Sequence, residues 1–130
     1  MTNDYAARAK ALVGTRFRPQ GRSEDGLDCI GVVLSTFGIP ADVARSNYRL
    51  GGNHERELRD ELDKHFRRVP SAQIRPGDVM LIAADDRQLH LAVRTEAGFV
   101  HAHAGIRRVV ETPGEPSWPL LEAYRKRRSR

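Results

Sequence analysis

Residues 76–110 read "PGDVMLIAADDRQLHLAVRTEAGFVHAHAGIRRVV". Pro76–Gly77 marks a tight turn, and Val79, Met80, Leu81 and Ile82 then form an apolar run of the length of a buried strand. Asp85 and Asp86 turn the chain, and Leu89 to Thr95 makes a second strand. Ala97–Gly98 turns it again into a third, Phe99 to His103, and Gly105 leads into Arg107–Val110. Connections this short join antiparallel neighbours, so the stretch predicts a meander.

Toward the N-terminus the period changes from two to three and four. Asp4 to Val13 predicts a helix with Ala7, Ala11 and Leu12 on one side and Asn3 or Asp4 as its cap. "GTRFRPQGRSEDG" (14–26) has the Gly, Pro and charge content of a loop. A second helix starts near Asp28, with Ile30, Val33, Leu34 and Phe37 at helical spacing and Gly38 and Pro40 as its stop. Residues 41–53 connect it, through Tyr48 and Gly51–Gly52, to a third helix that Asn53 can cap. In that helix, 54–66, Leu58, Leu62 and Phe66 fall on one face among dense charge, as on a surface helix laid over a core. Residues 67–78 read as a connection, and Trp118, Leu120, Leu121 and Tyr124 are expected to close over one end of the core. Helices first and an antiparallel sheet after them make an α+β fold, with the helices packed on a central sheet. The expected organisation is one domain, 1–124, with a basic tail at 125–130.

The bulk numbers agree with one domain. A chain of 130 residues buries roughly two-thirds of its unfolded surface without staples. The single cysteine excludes an internal disulfide framework and a multi-cysteine metal knuckle. No apolar run approaches the ~18 residues of a membrane span, and the N-terminus lacks the apolar centre of a signal peptide. Synthesis in the cytoplasm, with delivery by a holin, a particle or lysis if the protein works elsewhere, is the expectation. The formal charge is +5, and the closing "RKRRSR" suits anionic partners. No zinc-finger, helix-turn-helix or RNA-binding signature accompanies it, so nucleic acid is not the expected partner.

Cys29 stands directly after Asp28, at the start of the second helix. As a bland reading it is a small buried hydrophobe. As a chemical one, a thiol of pKa about 8.5 sits where unpaired helix N–H groups favour its thiolate. A nearby imidazole would take its proton, and a second polar group would orient that imidazole. Five histidines are available. His54 and His65 lie on the charged third helix and are expected to be ordinary exposed residues. His90, His101 and His103 lie on strands. With the turn at Ala97–Gly98, Arg94 faces His101, Ala92 faces His103 and His90 faces Gly105. All three histidines then share one face of the sheet, with His103 the nearer partner of His90. A Cys/His/His zinc site is the alternative, for which only the His101–His103 spacing speaks.

A resemblance sharpens this. "ALVGTRFRPQGRSEDGLDCIGVV", "RPGDVMLI", "HLAVRTEAGFVHAHAG" and "RRVV" resemble, in order and spacing from about Ala7 to Val110, the NlpC/P60 family of cell-wall peptidases. Members read "VGTPY", a Gly-containing loop and "DCSG", then "PGDLVFF" and "HVGIYLGNGRFIHAS". With its closing "ETPGEPSWPLLEAYR", the chain looks most like the compact branch encoded with phage-tail and gene-transfer-agent genes.

The resemblance implies a papain-like fold, no cofactor, and three catalytic residues: Cys29 as nucleophile, His90 as base and His101 as the orienting group. His103 is the runner-up for that last role, and Asp28 matches a structural or capping aspartate. It implies a peptidoglycan stem peptide as substrate, with γ-D-glutamyl–diamino acid as the bond cut, and phage-tail or particle proteins as partners. Phe17 stands where many members have a tyrosine, and Ile30 replaces the usual serine after the cysteine. A structural tail-tip role with weak or lost hydrolysis, and a thiol amidase or acyltransferase on another peptide-like substrate, are the competing expectations.

Overall fold

A computed structural model describes residues 4–18, 22–23, 26–40, 55–83 and 89–127; for 22–23 and 26–27 it describes the backbone alone. The expectations for 41–53, His54 and the Asp85–Asp86 turn lie outside these residues.

Helix α1, Tyr5–Lys10, begins at Asp4, whose Oδ1 accepts the Ala7 N–H at 2.9 Å. Where a loop was expected, Arg22–Ser23 (β1) and Gly26–Leu27 (β2) pair as a short antiparallel ribbon. Helix α2, Cys29–Phe37, starts and stops as its sequence requires. Asp28 Oδ1 accepts the Gly31 N–H at 2.8 Å, and Gly38 closes the helix at φ 66°, a conformation that only a residue without Cβ adopts freely. Its mixed Val and Ile content costs helix propensity, and burial on nearly every side compensates. Helix α3, Glu55–His65, buries Leu58 and Leu62.

The sheet is six-stranded: β3 Phe66–Val69, β4 Val79–Ala83, β5 Leu89–Arg94, β6 Gly98–His103, β7 Arg108–Pro113 and β8 Leu120–Lys126, in the spatial order β3-β8-β4-β5-β6-β7. Every neighbouring pair is antiparallel. The N-terminal helices pack on this central sheet, the α+β arrangement that the sequence predicts, with α2 against β5 and β6. Val79, Leu81, Leu89, Leu91, Val93, Val100 and Ala102 face the helices and share a core with Cys29, Val32, Val33 and Phe37. Met80, Ile82, Ala92 and Phe99 point the other way, under Trp118 and Leu120. Period-two alternation along β4 and β5 thus builds two apolar layers, one on each face.

Two strands depart from expectation. The connection after α3 contains β3, an edge strand, and Phe66 belongs to it rather than to the helix. The segment expected to close over the core is β8, an interior strand between β3 and β4 in which Tyr124 is wholly buried. Its sequence hides this because its charges are answered inside the fold. Glu122 meets Arg59 at 3.1 Å, and Arg125 meets Asp78 at 2.8 Å. The sheet therefore runs through Lys126, and Arg125 and Lys126 are not part of a tail.

The Arg125–Asp78 pair fastens β8 to the turn before β4. Asp78 is 2% exposed, and Arg125 grips both its carboxylate oxygens at 2.8 Å while Asp78 also accepts the Arg75 N–H. Removing the cation leaves a buried carboxylate without its partner. Arg125→Met is expected to lower the stability read from urea denaturation by about 3 kcal/mol; an unchanged midpoint would return Arg125 to the status of a tail residue.

Candidate active site

The β5–β6 hairpin decides which histidines meet. Its loop is Glu96–Ala97, one residue earlier than expected: the Thr95 N–H donates to the Gly98 carbonyl at 2.8 Å, and the Gly98 N–H returns to Thr95 Oγ1 at 3.0 Å. Val93 consequently pairs with Val100 and Arg94 with Phe99, a two-residue correction to the predicted register. A shift of two preserves faces, so His90, His101 and His103 still share one side of the sheet. Continued regularly, this register would set His90 opposite His103. The β5–β6 ladder, however, consists of those two pairs alone, and beyond it His90 Nε2 meets His101 Nδ1 at 2.8 Å.

His101 is held on every side. It is 2% exposed, its Nε2 lies 2.9 Å from Thr112 Oγ1 on β7, and the Phe99 ring is 4.8 Å from its own. His90 is half-buried and packs edge-on against Trp118, with ring centroids 6.1 Å apart. His103 is engaged otherwise: its Nδ1 accepts the Ile106 N–H at 3.1 Å within the β6–β7 turn, and its ring lies 5.6 Å from that of His101. Thr112 went unnoticed in the sequence because its role depends on the β6–β7 register, which sets it opposite Phe99.

Burial, and behind it the neighbouring His103, lowers the His90 pKa to about 4. Burial first, then His90 and His103, lowers that of His101 to about 3. Both rings are neutral at neutral pH. Two orders of protons satisfy these contacts, and in the one that suits a base His90 Nε2–H donates to His101 Nδ1 and His101 Nε2–H donates to Thr112 Oγ1. That order leaves His90 Nδ1 with a lone pair, ready to accept a proton.

Cys29 is the first residue of α2 and is 3% exposed. Asp28 takes the Gly31 N–H, while those of Cys29 and Ile30 have no acceptor within the helix. Cys29 lies in the helix-side core with Leu89 and Leu91, which flank His90, and with Ala102, between His101 and His103. The start of α2 thus packs against the part of β5 and β6 that carries the histidine pair. Phe17 packs half-buried against the same core, its N–H bonded to the Arg107 carbonyl at 3.0 Å. His65, expected to be exposed, is half-buried at the end of α3, with its Nε2 enclosed and unpartnered. Among the described residues no group of three or more His, Cys, Asp or Glu side chains is placed to hold a metal ion, and no helix is long and apolar enough to cross a membrane.

No protein-family model matches the chain. It is similar to the murein DD-endopeptidase MepS/murein LD-carboxypeptidase of Escherichia coli K12, 28% identical over 108 residues, covering 81% of this chain and 51% of that protein. The chain thus spans about half the length of the curated relatives it matches. Among solved structures, NlpC2 from Trichomonas vaginalis superposes with a TM-score of 0.72 at 18% identity, covering 97% of this chain and 47% of that one. The peptidoglycan hydrolase RipB from Mycobacterium tuberculosis gives 0.62 at 19% identity, covering 94% and 62%. The fold is that of NlpC/P60 proteins.

Buried neutral histidines make stability depend on pH. Unfolded, both rings regain pKa values near 6.5, so as pH falls from about 6.5 toward 4 the unfolded chain takes up protons that the folded chain does not. Stability is present above that window and is lost on acidification through it. The Tm of the wild-type protein is expected to fall between pH 7 and 4.5, and that of His101→Gln to fall less steeply. A flat wild-type profile would contradict the neutral pair.

Proposed function

We propose that this protein is a cysteine endopeptidase of the NlpC/P60 type, hydrolysing an amide bond in peptidoglycan stem peptides. The observation that carries the reading is the hydrogen-bonded series His90–His101–Thr112 beside a helix that begins on the chain's sole cysteine. The names of the similar proteins supply the substrate class, murein or peptidoglycan. The bond proposed is γ-D-glutamyl–diamino acid.

In the proposed mechanism Cys29, at the start of α2, and His90, on β5, act on the same amide. His90 Nδ1 accepts the thiol proton as Sγ attacks the amide carbonyl. The Cys29 and Ile30 N–H groups, at the helix start, receive the oxyanion. As the C–N bond breaks, His90 returns the proton to the leaving amine. A water molecule, deprotonated by His90, then attacks the acyl-enzyme and releases the acid and the thiol. His101, fixed by Thr112, keeps His90 in the tautomer with its lone pair on Nδ1. Phe17 offers no hydroxyl to the site, so the oxyanion rests on backbone donors. The resemblance of the closing segment to the phage-tail and gene-transfer-agent branch makes a particle of that kind the proposed setting.

Defined peptidoglycan incubated with the wild-type protein is expected to release fragments cut at a single amide, identified by mass spectrometry. Cys29→Ala and His90→Ala should release none. His101→Ala should retain binding while kcat falls about a hundredfold or more, through loss of the correct tautomer. Absence of cleavage by folded wild-type protein on walls of several chemotypes would overturn the hydrolase reading in favour of a structural role or another substrate.

A further inference from the structure

The face of the sheet that carries the histidine pair continues across β7 into a row of cations. His103 lies directly opposite Arg108 on β7, and Arg108 lies directly opposite Arg16 in an isolated antiparallel bridge beyond the sheet edge. Residues opposed in this way present their side chains on the same face. His101, His103, Arg108 and Arg16 therefore lie along one side of three adjacent stretches of chain. The stretch bearing Arg16 is fastened to β7 by backbone bonds from Gly14 N–H to the Val109 carbonyl, Val109 N–H to the Thr15 carbonyl, and Phe17 N–H to the Arg107 carbonyl, all of 2.8–3.0 Å.

Two arginines directly opposite one another are destabilising, because like charges are brought together. Four other described arginines, Arg59, Arg68, Arg94 and Arg125, each meet a carboxylate at 2.7–3.1 Å. Arg16 and Arg108 are exposed, and neither guanidinium takes part in any ion pair or side-chain hydrogen bond of the described residues. Arg107, next to them, is also exposed and is the one described non-glycine residue with positive φ, at 63°. This corner carries a pair of like charges and a turn at positive φ that no ion pair or side-chain hydrogen bond among the described residues repays.

We propose that Arg16 and Arg108 form an oxyanion-binding subsite continuous with the histidine pair, whose ligand is a carboxylate of an acidic peptide substrate. The planar guanidinium fork matches a carboxylate bidentately, and two forks on one face hold a ligand with two such groups in a fixed direction. The inference rests on the peptidase reading for its choice of peptide. A phosphate group presents the same chemistry, so the test separates the two sources.

The probe is a synthetic stem tripeptide with free carboxylates, L-Ala-γ-D-Glu-diaminopimelic acid, titrated calorimetrically into Cys29→Ala protein at about 50 mM salt. Its carboxamide counterpart and a glycerol phosphate oligomer are titrated alongside. The expected result is that adding Arg16→Gln or Arg108→Gln raises Kd for the acid peptide about tenfold. Kd for the amide should not change, the difference should shrink in 0.5 M salt, and Arg108→Lys should recover part of the affinity. Neither Gln variant should lower Tm, since each removes a repulsion; a drop would make the pair structural and overturn the subsite. Tighter binding of the phosphate oligomer, lost in the same variants, would overturn the peptide assignment. Equal Kd in all proteins would overturn the subsite itself. Cleavage by the Cys29-intact protein is scored separately. Arginine-dependent binding without any cleavage sinks the peptidase reading, and cleavage indifferent to both arginines sinks only the subsite.

Discussion

The turn from Thr95 to Gly98 holds the histidine face together. Thr95 is wholly buried, and its hydroxyl has two tasks: it accepts the Gly98 N–H and donates to Glu111 on β7 at 2.6 Å. Gly98 lies so close to the Thr112 carbonyl that any Cβ there would collide with it. Three strands are thereby locked at one end, and that end fixes where Phe99 and Thr112 stand across from each other. The other end of β5 and β6 is released from the ladder, and there the His90–His101 bond replaces backbone pairing.

The electrostatics of that near end follow from burial. Two imidazoles in contact, one enclosed by Phe99 and Thr112, cannot both carry charge, and neither does so at neutral pH. A neutral His90 is a weak base. In the proposed chemistry it therefore takes the thiol proton during attack, while the N–H groups at the start of α2 stabilise the developing negative charge. In the proposed subsite the Arg16–Arg108 pair acts at longer range, on the ligand and not on the thiol.

Much of this was legible from residue order. Asp28 before an apolar 3–4 pattern, and Gly38 after it, define α2; alternation in Val79–Ile82 and Leu89–Thr95 defines β4 and β5; and a period of two with any two-residue turn puts His90, His101 and His103 on one face. What stayed hidden depends on long-range pairing. Strand β8 reads as irregular because Glu122 and Arg125 find their partners on α3 and before β4, far away in sequence. His103 seemed the better partner of His90 because regular pairing was assumed where the ladder in fact stops. Thr112 and the Arg16–Arg108 pair carry no local pattern at all, and only the β6–β7 register and the bridge beyond it bring them to the site.

The central claim is that Cys29 and His90 act as one chemical unit. The most direct measurement is the rate of Cys29 alkylation by iodoacetamide as a function of pH, in wild type and in His90→Ala. The account requires reactivity near neutral pH in the wild-type protein and its loss in the variant, with both proteins folded. Slow alkylation that rises only toward the ordinary thiol pKa of about 8.5, identical in the two proteins, would contradict it and leave Cys29 as a small apolar residue at the start of a buried helix.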